Sequence, residues 1–246
     1  MAECSCQIVR CCPMKGGTCM DSPQVLDYRR FRLRYLNSPQ YSHVKLLFFW
    51  PLFGLLFAFV ERVGVTDVYT PVHIFLDDLI PFCEWFVLPY LFWFVFLVWM
   101  QAYTFFREVD GFRQMMWFII LTYSVTMVLY FLFPTCQELR PQHFPRDNVL
   151  TRFMARFYAF DTNTNVCPSI HVIGAVACLA AGWHSRRFGT PLWRAVFTGI
   201  TVLICLSTVF LKQHSALDVF AALPLCAGAW WLVYRSRWAK KFARPR

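Results

Sequence analysis

The chain has 246 residues, 58% of them apolar and 15% charged, with a mean hydropathy of +0.44 and a formal net charge of +10. A soluble domain carries about 25% charged and 45–50% apolar residues. The composition therefore excludes a disordered, a collagen-like or a disulfide-scaffold protein and leaves a membrane protein whose apolar residues fall into several blocks.

Residues 1–42 read as a basic, Cys-rich arm, with Cys4, Cys6, Cys11, Cys12 and Cys19 followed by Arg29, Arg30, Arg32 and Arg34. No apolar stretch in it suits a signal peptide. Five cysteines without His and without zinc spacing do not make a metal site. A mobile cytoplasmic arm is the simplest reading; lipidation of a juxtamembrane Cys and contact of the Arg cluster with anionic headgroups are the others. A bilayer-crossing helix needs about 20 mostly apolar residues. Six blocks meet or approach that length: 44–63 (with Pro51 inside), 85–106, 114–136, 166–183, 195–211 and 219–234. Asp77, Asp78 and Glu84 precede the second block and read as a solvated interfacial loop. Residues 237–246 form a basic tail. The expected fold is all-α, a polytopic membrane protein built as a six-transmembrane-helix bundle over residues 43–236.

Eighteen of the 24 Lys and Arg fall on one side of this topology. The positive-inside rule places that side, with both termini, in the cytoplasm. Topology accounts for the basic charge, so no nucleic-acid partner is implied. The loops after the first, third and fifth spans then share the extracytoplasmic face.

Three polar clusters lie at that face, where ionisable residues at span ends are functional candidates by default. They are Phe133–Pro141, Asn165–His171 and Ser207–Asp218. His171 and His214 are 43 residues apart in sequence, yet the hairpin of spans four and five returns them to one level. With a helix beginning near His214, Asp218 at i+4 can hold one imidazole nitrogen and leave the other free to attack. Pro168 suits the first turn of span four. Ser169 and the free N–H groups of that turn suit an anion. His171 can protonate a departing alkoxide, and Arg140 can grip phosphate oxygens through two bonds. Together they point to phosphoryl transfer through a phosphohistidine.

These residues resemble the type-2 phosphatidic acid phosphatase and haloperoxidase superfamily, whose motifs read KxxxxxxRP, PSGH and SRxxxxxHxxxD. The chain offers Arg140-Pro141, then Pro168-Ser169-Ile170-His171, then Ser207 with His214 and Asp218 at the motif's spacing. The resemblance covers roughly residues 44–235. It implies His214 as nucleophile, Asp218 as its partner, His171 as general acid, and Arg140, Ser169, Ser207, Thr208 and Lys212 around the substrate phosphate, with no metal or organic cofactor. Two cations of the motifs are absent: Phe133 stands where the first motif has Lys, and Thr208 where the third has Arg. Each such charge-assisted contact is worth about 1.5–3 kcal/mol. Lys212, Arg146, Arg152 and Arg156 are the candidates to replace the lost charge. The run Thr208–His214 also resembles the inositol-phosphorylceramide synthase-like branch, which passes a phosphoryl headgroup to a lipid alcohol.

The expected function is a lipid-phosphate phosphoesterase working through a phosphohistidine, in the plasma membrane, with its active site on the extracytoplasmic face and a phospholipid or other lipid phosphate as substrate. A phosphotransferase of the inositol-phosphorylceramide synthase kind is the enzymatic alternative. A non-catalytic lipid-binding or transport protein is the alternative from another class. A carrier, however, would place charges mid-span or show paired broken helices, whereas here the span centres are nearly clean.

Overall fold

A computed structural model describes residues 26–63, 66 and 68–243. The five N-terminal cysteines and residues 244–246 lie outside them. The described chain is almost entirely helical. Its helices are α1 (Phe49–Arg62, led in by a 3-10 turn Ser42–Phe48), α2 (Phe75–Leu79), α3 (Val87–Arg107), α4 (Val109–Leu132), α5 (Val149–Phe160), α6 (Ile170–His184), α7 (Pro191–Phe210), α8 (Ala216–Trp230, continued by a π turn to Arg235) and α9 (Ala239–Ala243). Two short strands, β1 (Thr70–Pro71) and β2 (Thr135–Cys136), pair in parallel.

Among the described residues, five helical segments are long and apolar enough to cross a membrane: Ser42–Arg62, Glu84–Arg107, Val109–Leu132, Pro191–Phe210 and Ala216–Arg235. They correspond to five of the six expected blocks. The fourth block contracts to α6, whose 15 residues rise only about 22 Å. The reason is that Ser169 is the N-cap and the chain bends at Cys167 and Pro168 before it, so Pro168 precedes the helix instead of occupying its first turn. α4 moves the opposite way, beginning at Val109 and leaving Glu108 as the whole connection to α3.

α6 forms the middle of the bundle, packed against α3, α4, α7 and α8. Small residues permit this: Gly174, Ala175, Ala177, Ala180, Ala181 and Gly182 are all buried, and small side chains let helix backbones approach closely. A Cβ on Gly182 would lie 2.4 Å from the Phe197 ring of α7, and one on Gly174 would lie 2.9 Å from Trp93 of α3. The surrounding core is aromatic and sulfur-rich, with Trp93, Phe96, Met100, Met115, Phe118, Tyr123 and Tyr130 buried around it. Outward faces of α1, α3 and α7 expose Leu55, Val98, Trp99, Val202 and Leu203 instead.

The two ends of the bundle differ. At one end, Arg113 donates to the Pro39 and Ala243 carbonyls and to Asp110, joining the N-terminal segment, α4 and α9. Tyr28 hydrogen-bonds His43 (2.7 Å) and the Phe105 carbonyl (2.8 Å), so the arm is seated on the α3–α4 hairpin from Tyr28 onward. Ser185, after α6, donates to Glu108 there (2.8 Å). At the other end, the loops after α1, α4 and α7 meet the starts of α6 and α8. The polar clusters gather at that end.

Candidate functional site

α8 begins at Ala216, two residues beyond the His214 start that the sequence suggests. Ser215 is its N-cap and Asp218 its third residue, and Asp218 accepts the Ser215 backbone N–H (3.0 Å) to close a capping box. His214 stands just before the helix. The same Asp218 Oδ2 accepts from His214 Nδ1 at 3.1 Å. The i,i+4 pair therefore exists, but it arises from a helix cap and not from a shared helical face. Asp218 is 0% exposed, and Cys167 stands beside its carboxylate; burial and that charge push the Cys167 thiol up to about 12.

His214 Nε2 makes no hydrogen bond among the described residues, so the Nδ1 bond leaves it available. The His171 ring lies 5.6 Å from that of His214. Tyr90 and Trp93 of α3 flank His171 at 4.7 and 4.5 Å and fix its plane. Its Nδ1 is buried without a partner among the described residues. The α6 and α8 starts are tied by the Ser169 N–H donating to the Asp218 carbonyl (3.2 Å). His171, His214 and Asp218, predicted from topology, are thus brought together.

A cleft of about 40 Å³ opens beside the histidines. Its walls are the end of α1 (Phe57, Glu61), Tyr130 of α4, the loop Asp161–Val166, and Ile170, His171, Gln213 and His214. None of the five expected phosphate ligands is among the lining residues. Arg140 donates to the Tyr158, Asp161 and Thr162 carbonyls and to Gln213 Oε1, at 2.7–3.1 Å, and lies over the Tyr158 ring at 4.6 Å. Only its Nε–H is unpartnered. Ser169 Oγ accepts from Val172 N as the N-cap of α6. Ser207 donates to the Ile204 carbonyl (2.6 Å) and Thr208 to the Cys205 carbonyl (2.8 Å), each on its own helix. Lys212, at φ 53°, sends Nζ to the Asp77 carbonyl (2.7 Å), and burial lowers its ammonium. Nor do the other replacement cations reach the cleft: Arg146 pairs with Glu84 and Arg152 with Asp147, while Arg156 is exposed.

Several site residues escape a reading of the sequence. Asp77 is the clearest. The loop expected to be solvated instead buries Asp77 (1% exposed) and Glu84. Asp77 accepts the Ser215 hydroxyl (2.6 Å), the Ala216 N–H (2.7 Å) and the Ile74 N–H (2.9 Å). It anchors the start of α8 across 138 positions of sequence. Glu61 is the second. It accepts from the Thr162 hydroxyl and from Asn165 Nδ2 (3.4 Å). The rule that a carboxylate at a span end is a functional candidate would have found it. Asp161 is the third; it accepts from Gln213 Nε2 (3.2 Å), and burial raises its carboxyl.

Chemically, the cleft offers one imidazole nitrogen held for attack, a second imidazole opposite it, and the N-terminal turn of α6, whose dipole favours an anion. Set against protein-family models, curated proteins and solved structures, the chain shows no match.

Proposed function

We propose that this is an integral membrane enzyme that cleaves or transfers a phosphoryl group on a lipid through a phosphohistidine. The observation that carries the reading is the His214–Asp218 pair (3.1 Å) facing the His171 ring across the mouth of a cleft. His214 Nε2 attacks phosphorus, and the bond from phosphorus to the lipid alcohol breaks. His171 gives its proton to that leaving oxygen. Asp218 holds the His214 ring and balances the positive charge that grows on it. Water, or a second alcohol, then attacks the phosphohistidine while His171 takes the incoming proton, which restores both histidines. The α6 N-terminus, which carries Ile170 and His171 into the cleft wall, is the fixed positive end available to the phosphoryl oxygens.

Membrane placement belongs to the same reading. Five apolar helices are long enough to cross, and α6 joins the same two ends of the bundle as its neighbours, which makes six crossings with both termini on one side. The Lys and Arg distribution puts that side in the cytoplasm and the cleft at the extracytoplasmic face of the plasma membrane. Transfer to an alcohol gains weight over hydrolysis because the motif cations are missing and the cleft wall carries Glu61 and Asp161, which disfavour a phosphate monoester dianion.

The test is turnover of lipid phosphates by the purified full-length protein in detergent, followed as diacylglycerol release with and without an added alcohol. His214→Ala is expected to reduce release at least a thousandfold. A His214→Ala protein as active as wild type would remove the nucleophile assignment.

A further inference from the structure

Far from the cleft, at the end of the bundle where Arg113 sits, a group of cations has no counter-charge. The segment leading to the first apolar helix is folded on itself: Tyr41, 4% exposed, donates to the Asp27 carbonyl (2.8 Å) and packs edge-on against Phe31. That fold leaves Arg29, Arg32 and Arg34 exposed, with Leu33 80% exposed among them. After the last apolar helix, Arg235, Arg237, Lys240 and Lys241 are exposed too, and Arg237 and Lys241 lie over the Trp238 ring at 5.5 and 3.6 Å. One guanidinium joins the two segments: Arg113 donates to the Pro39 carbonyl (3.1 Å) and to the Ala243 carbonyl (3.4 Å). The described acids of this end are engaged locally. Asp27 caps the turn at Tyr28 and meets Arg30 at 3.7 Å, Glu108 accepts from Tyr103 and Ser185, and Asp110 pairs with Arg113. None of the exposed Arg and Lys of the two segments, Arg30 apart, forms an ion pair among the described residues.

Resting on the membrane placement and not on the histidine chemistry, we propose that the two segments form one basic rim that binds the headgroups of anionic phospholipids in the leaflet at this end. Lipid phosphates pair with Arg29, Arg32, Arg237 and Lys240, and Leu33 and Trp238 sink beneath them. Charge selects an anion, because cations gathered without acids attract one and repel each other. Two features select a lipid over a nucleic acid or an acidic protein. Each segment joins directly onto a helix long and apolar enough to cross a membrane, Ser42–Arg62 and Ala216–Arg235, which holds it at headgroup depth. Basic clusters at that depth attract anionic lipid. The same surface exposes Leu33, Trp238 and, at the start of the first apolar helix, Phe48, and cations interleaved with Trp, Phe and Leu are what a segment lying in the interface carries. A dissolved polyanion would neutralise the cations and leave those apolar side chains in water. Since Tyr28 and Arg113 tie the rim to the α3–α4 hairpin, bound lipid fixes the N-terminal segment against the bundle.

Native mass spectrometry tests this by counting the phospholipids that the full-length protein retains on release from nanodiscs holding phosphatidylcholine and phosphatidylglycerol in equal amounts. Retained phosphatidylglycerol is expected to exceed phosphatidylcholine about threefold or more, and added salt should diminish the excess. Replacing Arg29, Arg32, Arg237 and Lys240 together by Gln should bring the ratio to about one. If that protein does not fold, Arg29→Gln with Arg32→Gln should remove about half of the excess. Arg152→Gln with Arg156→Gln, at the other end of the molecule, should keep it in full. Equal retention of the two lipids, an excess that the Gln variants of the rim keep, or one that Arg152→Gln with Arg156→Gln abolishes would overturn the proposal. So would displacement of the lipid by a double-stranded oligonucleotide or by polyglutamate at physiological ionic strength, which would identify a dissolved partner. Membrane placement is read separately, from the part of the Trp fluorescence lost in Trp238→Phe, which lipids with brominated acyl chains should quench. No quenching of that part would remove the placement together with the rim, whereas quenching with equal retention removes the rim alone.

Discussion

Asp77 and Cys167 illustrate how single residues are defined here by what lies opposite them. Asp77 satisfies the Ser215 hydroxyl and the Ala216 N–H at the start of α8, and that start carries both His214 and Asp218. Asp77→Ala leaves these donors buried without partners, and at about 1–3 kcal/mol for such groups it should cost about 3 kcal/mol. Thermal unfolding in detergent reads this, and turnover should fall with it because the His214–Asp218 geometry loosens. Cys167 makes a pH prediction. Its thiol is raised to about 12, so the neutral form is favoured in the folded protein and ionisation is postponed to strongly alkaline pH. Since only the thiolate is nucleophilic, alkylation of Cys167 at pH 8 should run about a thousandfold slower than in the denatured chain, and should accelerate as pH rises toward the raised value. Mass spectrometry of the labelled peptide checks it. The local sequence could not reveal either residue's role. An acidic pair in a loop reads as solvated, and only the fold supplies the donors that make Asp77 buried.

At the scale of elements, the decisive contact is α6 against α7. α6 is short for a span, and its small residues allow four neighbours to close around it. Gly182→Ala should destabilise the protein by about 1–3 kcal/mol, the usual range for overpacking, because the new Cβ meets the Phe197 ring at 2.4 Å. In a Phe197→Ala background that cost should vanish. A double-mutant cycle of unfolding midpoints measures the coupling, and additive effects would mean the ring is not the obstacle. The apolar blocks were legible because a continuous run of Leu, Phe, Val and Trp has few alternatives to a buried or lipid-facing helix. Their ends were less so. The contraction of the fourth block to Ile170–His184 depends on Ser169 finding Val172 as a capping partner, and the growth of α4 to Val109 depends on Glu108 being held by Ser185 and Tyr103.

For the whole molecule, the proposed topology predicts that reporters fused after residue 246 and after residue 188 lie in the cytoplasm, while one inserted after residue 147 lies outside. Termini found on opposite sides would show that one of the six apolar helices does not cross. The architecture explains why the polar cleft lies at one end. At the opposite end Arg113 fastens the N-terminal segment to α9, and the described histidines there are occupied structurally: His43 by Tyr28, and His184 by the Ala180 carbonyl and the Tyr234 ring.

Taken alone, the sequence determined the helical class, five of the apolar helices, and the meeting of His171 with His214 and Asp218, because period, length and parity are properties of the chain itself. It also quoted Arg140, Ser169, Ser207, Thr208 and Lys212 as one group around a phosphate. The tertiary structure decided that these side chains are engaged elsewhere, by carbonyls of α7, by the loop after α5 and by Asp77, and that Glu61, Asn165 and Asp161 form the cleft wall instead. The reason is physical. A hydrogen-bonding side chain goes to whichever buried partner the packing places nearest: Ser169, Ser207 and Thr208 turn to backbone three residues away on their own helices, whereas the partners of Arg140 and Lys212 lie 18 to 135 residues away, where no local pattern can announce them.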